Sequence, residues 1–145
     1  MIYAKCVDEY YITNNVDEFK ERQANGEHVY CIGQTTKSYN GMDLLYCVPL
    51  NYIFDCLKYG KYIAIIDIEN NISTYPCKSS YMGLHITSSE QHVINILNPC
   101  EEKTIDFIFN EVGNANLIHT GHLNLLPKHI QKYVELKKES YNHNI

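Results

Sequence analysis

The sequence predicts an α+β fold in which four tandem strand–strand–helix units form a mixed sheet covered by helices. Three observations predict it. Four segments share one order of patterns: EYYITNNVDEFKER from Glu9, DLLYCVPLNYIFDCL from Asp43, GLHITSSEQHVINIL from Gly83 and NLIHTGHLNLLPKHIQKYVEL from Asn116. Each runs through strand-forming residues, a Thr or Cys, a polar or proline break, and a helix-period pattern. The markers Thr13, Cys47, Thr87 and Thr120 recur at intervals of 33 to 40 residues. A second apolar strand precedes each segment, at Ile2–Val7, His28–Gly33, Tyr62–Asp67 and Thr104–Phe109. The chain is then one domain over 1–145, with units of approximately 1–26, 27–60, 61–98 and 99–139 and a frayed polar tail at 140–145.

Each element has a local reason. In the first unit Val16 and Phe19 start a thin helix that stops at Asn25-Gly26, a helix-end and turn pair. In the second, Leu50, Ile53, Phe54 and Leu57 fall on one helical stripe behind Pro49, where a missing N–H costs nothing. In the third, Val93, Ile96 and Leu97 form the stripe. In the fourth, Leu126, Ile130, Tyr133 and Val134 form it around Pro127. Among the lead strands, Ile105, Phe107 and Phe109 alternate like a half-buried strand. YIAIIDI is apolar on both faces, which places it centrally in the sheet. Asn40-Gly41 is the tight-turn candidate, and 69–82 reads as a surface loop. Eight strands and four helices are expected. One unit cannot bury its own apolar face, so the units must share a core.

Bulk properties narrow the function. With 45% hydrophobic and 20% charged residues, 145 residues can bury a core without staples. A net charge of −5 argues against nucleic acid or an anionic membrane as the main partner, since both are held through clustered Lys and Arg. The apolar run Tyr62–Ile68 is too short to span a membrane, and the first residues lack the layout of a secretion signal. The six cysteines form no CxxC, so buried free thiols in a reducing compartment are expected, and the cytoplasm is the expected location.

The chemical candidates are few. His85-Ile86-Thr87-Ser88-Ser89-Glu90 resembles a base beside a nucleophile. It lacks the glycine-flanked serine of a nucleophile elbow, and Thr87 with Glu90 reads as a helix capping box. His119 and His122 are three residues apart, which suits two metal ligands, but no third ligand stands beside them and Gly121 disfavours a helix there. Cys47 precedes the second helix, where a thiolate would be stabilised, yet no histidine is near it in sequence. No P-loop or dinucleotide fingerprint is present. No cofactor and no resident metal are expected.

Two resemblances add to this reading. GLHITSSEQHVINIL and YCVPLNYIFDCLKYGKYIAIIDI resemble a strand–helix–strand unit of uncharacterised proteins from giant, mimivirus-like DNA viruses, often found ahead of ankyrin repeats. Gly83, Leu84, Ile86 and Thr87 match its Gly-Leu-Tyr-Phe-Thr, and Tyr59, Gly60 and Tyr62 match its Tyr-Gly-x-Tyr. The resemblance implies a viral protein, in host cytoplasm or virion, acting as an interaction module. A remoter similarity is to ADP-ribosyltransferase-like folds, for which Glu111 is the one late strand-end glutamate available. The expected function is therefore a non-enzymatic protein-interaction module. The alternatives are an ADP-ribosyltransferase-like enzyme or small-ligand binder, and a structural homo-oligomer.

Overall fold

A computed structural model describes residues 2–38, 45–68, 72–76 and 84–143, with backbone alone at 72–76, 84–85 and 141–143. Among the described residues, seven strands form one sheet: β1 (Tyr3–Val7), β2 (Thr35–Lys37), β3 (Leu45–Pro49), β4 (Tyr62–Asp67), β5 (Ile72–Pro76), β6 (Leu84–Ser88) and β7 (Glu90–Leu97). Their order is β2-β7-β4-β1-β3-β6-β5. Every strand pair is antiparallel, so the expected mixed sheet is corrected. Among the described residues the one parallel contact is an isolated bridge between Ile12 and Tyr30. Three α-helices are described: α1 (Val16–Ala24), α2 (Glu102–Val112) and α3 (Lys128–His143).

The order of the strands shows that the sheet is rolled. Only Ser89 separates β6 from β7, yet four strand spacings lie between them in the order. In a flat sheet those spacings would span about 19 Å, which one residue cannot bridge. The strands β7, β4, β1, β3 and β6 therefore curl around an inner core. That core contains Val7, Tyr30, Cys47, Ala64, Ile66, Ile86 and Val93. The outer face carries a larger core, where Ala4, Cys6, Val48, Ile63 and Ile65 meet Ile105, Ile108 and Phe109 of α2 and Ile130 and Val134 of α3. Burying each such Ile or Phe contributes about 1.5–3 kcal/mol. β4 supplies both cores and lies between β1 and β7, as its two apolar faces predicted.

The α+β class holds, but the four repeated units do not. α1 ends at Asn25-Gly26 as expected, and Asn15 caps its start by accepting from the Glu18 N–H. β1, β3, β4 and β6 fall on expected strands, and α3 on the fourth helix, extending through His143 into the supposed tail. The second stripe is buried as predicted, but it lies on 3-10 turns (Leu50–Asp55 and Leu57–Tyr59) and not on an α-helix. Among its described residues the third unit has no helix. EQHVINIL is strand β7, with Gln91 and Val93 buried and His92 and Ile94 exposed in alternation. The supposed capping box is thus a bend at Ser89 between two strands.

The fourth unit opens on a helix where a strand was expected. Ile105, Ile108 and Phe109 lie one turn apart and are fully buried, and Gly113 in the left-handed region (φ 76°) ends α2. The strand expected at His28–Gly33 is reduced to the Tyr30 bridge, and the strand expected before Thr120 is a 3-10 turn over Ala115–Leu117. β5 falls inside the expected loop at 69–82. Asn40-Gly41 lies outside the described residues.

Candidate functional site

β1 and β3 pair at only two positions, Tyr3 with Pro49 and Ala4 with Val48. Continuing that register would set Lys5 opposite Cys47 and Cys6 opposite Tyr46. Instead the strands part. β1 stays paired with β4 along its whole length, and the first half of β3 pairs with β6. The gap is a cleft of about 310 Å³, walled by Ala4, Lys5 and Cys6 of β1, by Tyr46, Cys47 and Val48 of β3, and by Cys56 and Tyr59 below. Its rim tyrosines, Tyr46 and Tyr59, are half exposed.

A polar cluster lies beside the gap. Gln91, fully buried on β7, donates from Nε2 to the Tyr46 carbonyl at 3.2 Å and so takes a backbone acceptor on the first half of β3. Its Oε1 accepts from Lys5 Nζ at 3.3 Å. Lys5 Nζ also donates to the Tyr30 hydroxyl at 2.5 Å and lies 4.7 Å from the centre of the Tyr30 ring. These partners are neutral, and among the described residues no carboxylate forms an ion pair with Lys5. Lys5 is half-buried, and a cation withdrawn from water without a counter-charge is costly. Burial accordingly lowers the Lys5 pKa to about 8, with Cys47 pulling weakly the other way.

The neighbours respond to the same environment. Burial pushes the Cys47 thiol up to about 12 against the opposing pull of Lys5, and it pushes the Tyr30 phenol up as well. Burial, then the Lys5 charge, lowers the His28 pKa, and His28 Nε2 is buried with no hydrogen-bond partner among the described residues. The site is thus an apolar cleft with a solitary amine, a phenol and an amide at its side.

The sequence candidates are dispersed. Cys47 does line the cleft, but on a strand and as a protonated thiol, not as a thiolate at a helix start. His85 lies on β6 in register with Tyr75, and its side chain is outside the described residues. Glu111 is exposed on the last turn of α2, so it is not the strand-end glutamate of the transferase-like expectation.

His119 and His122 belong to a clamp. Their backbone N–H groups donate to the Asn51 and Phe54 carbonyls, at 2.9 and 3.1 Å. The His119 ring stacks on Tyr52 with 4.2 Å between centres, and its Nδ1 lies 3.8 Å from the buried Asp55 carboxylate. Asp55 also accepts from the Gly121 N–H at 2.6 Å. Among the described residues no group of three or more His, Cys, Asp or Glu is placed to hold a metal ion.

Sequence reasoning passed over Lys5, Tyr30 and Gln91. The one available signal was a lysine on the face of β1 that also carries Tyr3 and Val7, in a strand otherwise apolar. No family model, curated protein or solved structure matches the chain. Among the described residues, no helix is long and apolar enough to cross a membrane.

Proposed function

We propose that the protein binds a small, mainly apolar molecule, with the β1–β3 cleft taking its body and Lys5 taking an oxygen-bearing polar end. One observation carries this reading: the ladder between two central strands is interrupted, and the gap is lined by mostly apolar residues and by Lys5, which has no ion-pair partner among the described residues. An interruption of this kind gives up backbone hydrogen bonds that packing alone would favour keeping. Apolar walls with few convergent polar groups are what small-molecule sites share.

The test is a titration with benzyl alcohol followed by amide chemical shifts. Shifts should gather on Lys5, Cys6, Cys47 and Val48, and Tyr46→Ala or Tyr59→Ala should weaken binding by about 3- to 10-fold. No shifts at millimolar probe, or shifts scattered over the surface, would sink the reading.

The interaction role suggested by the sequence finds one support, the half-exposed tyrosines at the rim, since tyrosine is favoured at protein interfaces. Its occupant would be a second copy of the chain. Light scattering that shows a dimer abolished by Tyr46→Ala would favour that occupant over a small molecule.

A further inference from the structure

We propose that Lys5 is a reactive amine that condenses with the carbonyl of a small apolar aldehyde in the β1–β3 cleft, so that the ligand is carried as an imine. The inference rests on the ligand-binding reading and names the ligand class.

Three features of the geometry support it. Lys5 is among the residues that line the cleft, next to Ala4 and Cys6 on β1. Among the described residues its Nζ hydrogen-bonds to the Tyr30 hydroxyl and the Gln91 carbonyl oxygen, and no carboxylate holds it as a fixed cation. The Tyr30 hydroxyl, 2.5 Å away, is placed to move a proton at that nitrogen. Among the described residues, the titratable groups facing Lys5 are Cys47 across the cleft and Tyr30 and His28 from the segment after α1. None is an anion at neutral pH.

The chemistry follows from these surroundings. An amine attacks only in its neutral form. With the Lys5 pKa lowered to about 8, about a tenth of the population is neutral at pH 7, against well under a thousandth for an ordinary lysine. Cys47 is kept as a thiol, so nitrogen is the competent nucleophile of the pair. An aldehyde enters uncharged, whereas a carboxylate would have to be buried as an ion.

The step balances. The Nζ lone pair forms the C–N bond, the carbonyl electrons move to oxygen, and a proton passes from nitrogen to that oxygen. Loss of water then breaks the C–O bond, with Tyr30 supplying a proton to the departing hydroxyl and regaining one from nitrogen. The products are an imine and one water.

The test treats the whole chain with benzaldehyde and cyanoborohydride and maps the benzylated lysines by mass spectrometry, with benzyl alcohol binding measured in parallel. Lys5 should be labelled at least about tenfold faster than any exposed lysine at pH 7.5, with a pH midpoint near 8. Tyr30→Phe should slow labelling about tenfold or more. If benzyl alcohol binds in the cleft but Lys5 is labelled no faster than the exposed lysines, the imine is overturned and the ligand-binding reading stands. If benzyl alcohol does not bind and Lys5 is not preferred, both fall. Preferential labelling lost in Lys5→Met, with the variant's amide spectrum still that of the folded chain, confirms the site.

Discussion

At the scale of single residues, Lys5 is the group whose setting contradicts its chemistry most. A lysine on the inner face of a rolled sheet must either find an anion or lose its proton more easily, and Lys5 takes the second course. The consequence for stability has a definite sign. Lys5 falls from 10.5 to about 8 on folding, so between those values the unfolded chain holds a proton that the folded chain has released. Its contribution to stability therefore rises with pH across that window and is constant below it. Cys47 and Tyr30 act in the opposite direction, because the unfolded state loses their protons first. The Lys5 effect is accordingly read as a difference. Wild type should gain on Lys5→Met by roughly 2–3 kcal/mol between pH 8 and 10.5 in urea denaturation. A flat difference would mean that Lys5 is solvated.

Lys5 was only faintly legible in the sequence. IYAKCV identifies a strand and puts a lysine on one of its faces, but nothing local says that the face turns inward. Tyr30 and Gln91 are 25 and 86 residues away, beyond any spacing rule.

Elements show how the sheet's openings and edges are controlled. Gly60 opens the approach to β4 and lies against the backbone of Val7; a Cβ there would come within 2.4 to 2.7 Å of Val7 backbone atoms. Backbone cannot move aside as a flexible side chain can, so Gly60→Ala should cost about 2–4 kcal/mol in denaturation and weaken the β1–β4 pairing beside the cleft.

At the sheet's far edge, the Gln23 side chain of α1 imitates a neighbouring strand. Its Nε2 donates to the Lys37 carbonyl at 3.0 Å and its Oε1 accepts from the Lys37 N–H at 3.1 Å. Uncovered strand edges invite pairing with other chains. Gln23→Ala should cost about 1 kcal/mol and produce concentration-dependent association in light scattering.

The misread elements share one cause. The apolar positions of TIDFIF fit period 2 at Ile105, Phe107 and Phe109, and a helical turn at Ile105, Ile108 and Phe109. EQHVINIL has the same ambiguity at Val93, Ile96 and Leu97. Gly113 after the first run, and the β-branched Val93, Ile94 and Ile96 in the second, were the signals that separate them.

For the whole molecule, the decisive feature is the roll that brings β6 and β7 into one bent path. It gives the sheet two cores, with β4 contributing to both and β2 lying at an edge. Amides of Ile63–Ile66 should exchange with solvent only on global unfolding, more slowly than those of Thr35–Lys37 by roughly two or more orders of magnitude. Hydrogen exchange read by mass spectrometry or resonance assignment checks this, and equal rates would contradict a β4-centred core.

The sequence by itself determined what local patterns can carry. These are the α+β class, the strands around Ile2, Cys47, Ile63 and Ile86, the start and stop of α1, the apolar stripe of α3 and the central place of β4. Each rests on residues a few positions apart, where periodicity, capping and turn chemistry act. Only the tertiary structure decided which ambiguous runs became helix or strand, which way the sheet curled, and that β1 and β3 part to leave Lys5 facing Tyr30 and Gln91. Those outcomes depend on burial against distant partners, because an apolar run satisfied by two periods takes the one whose buried face meets the rest of the core.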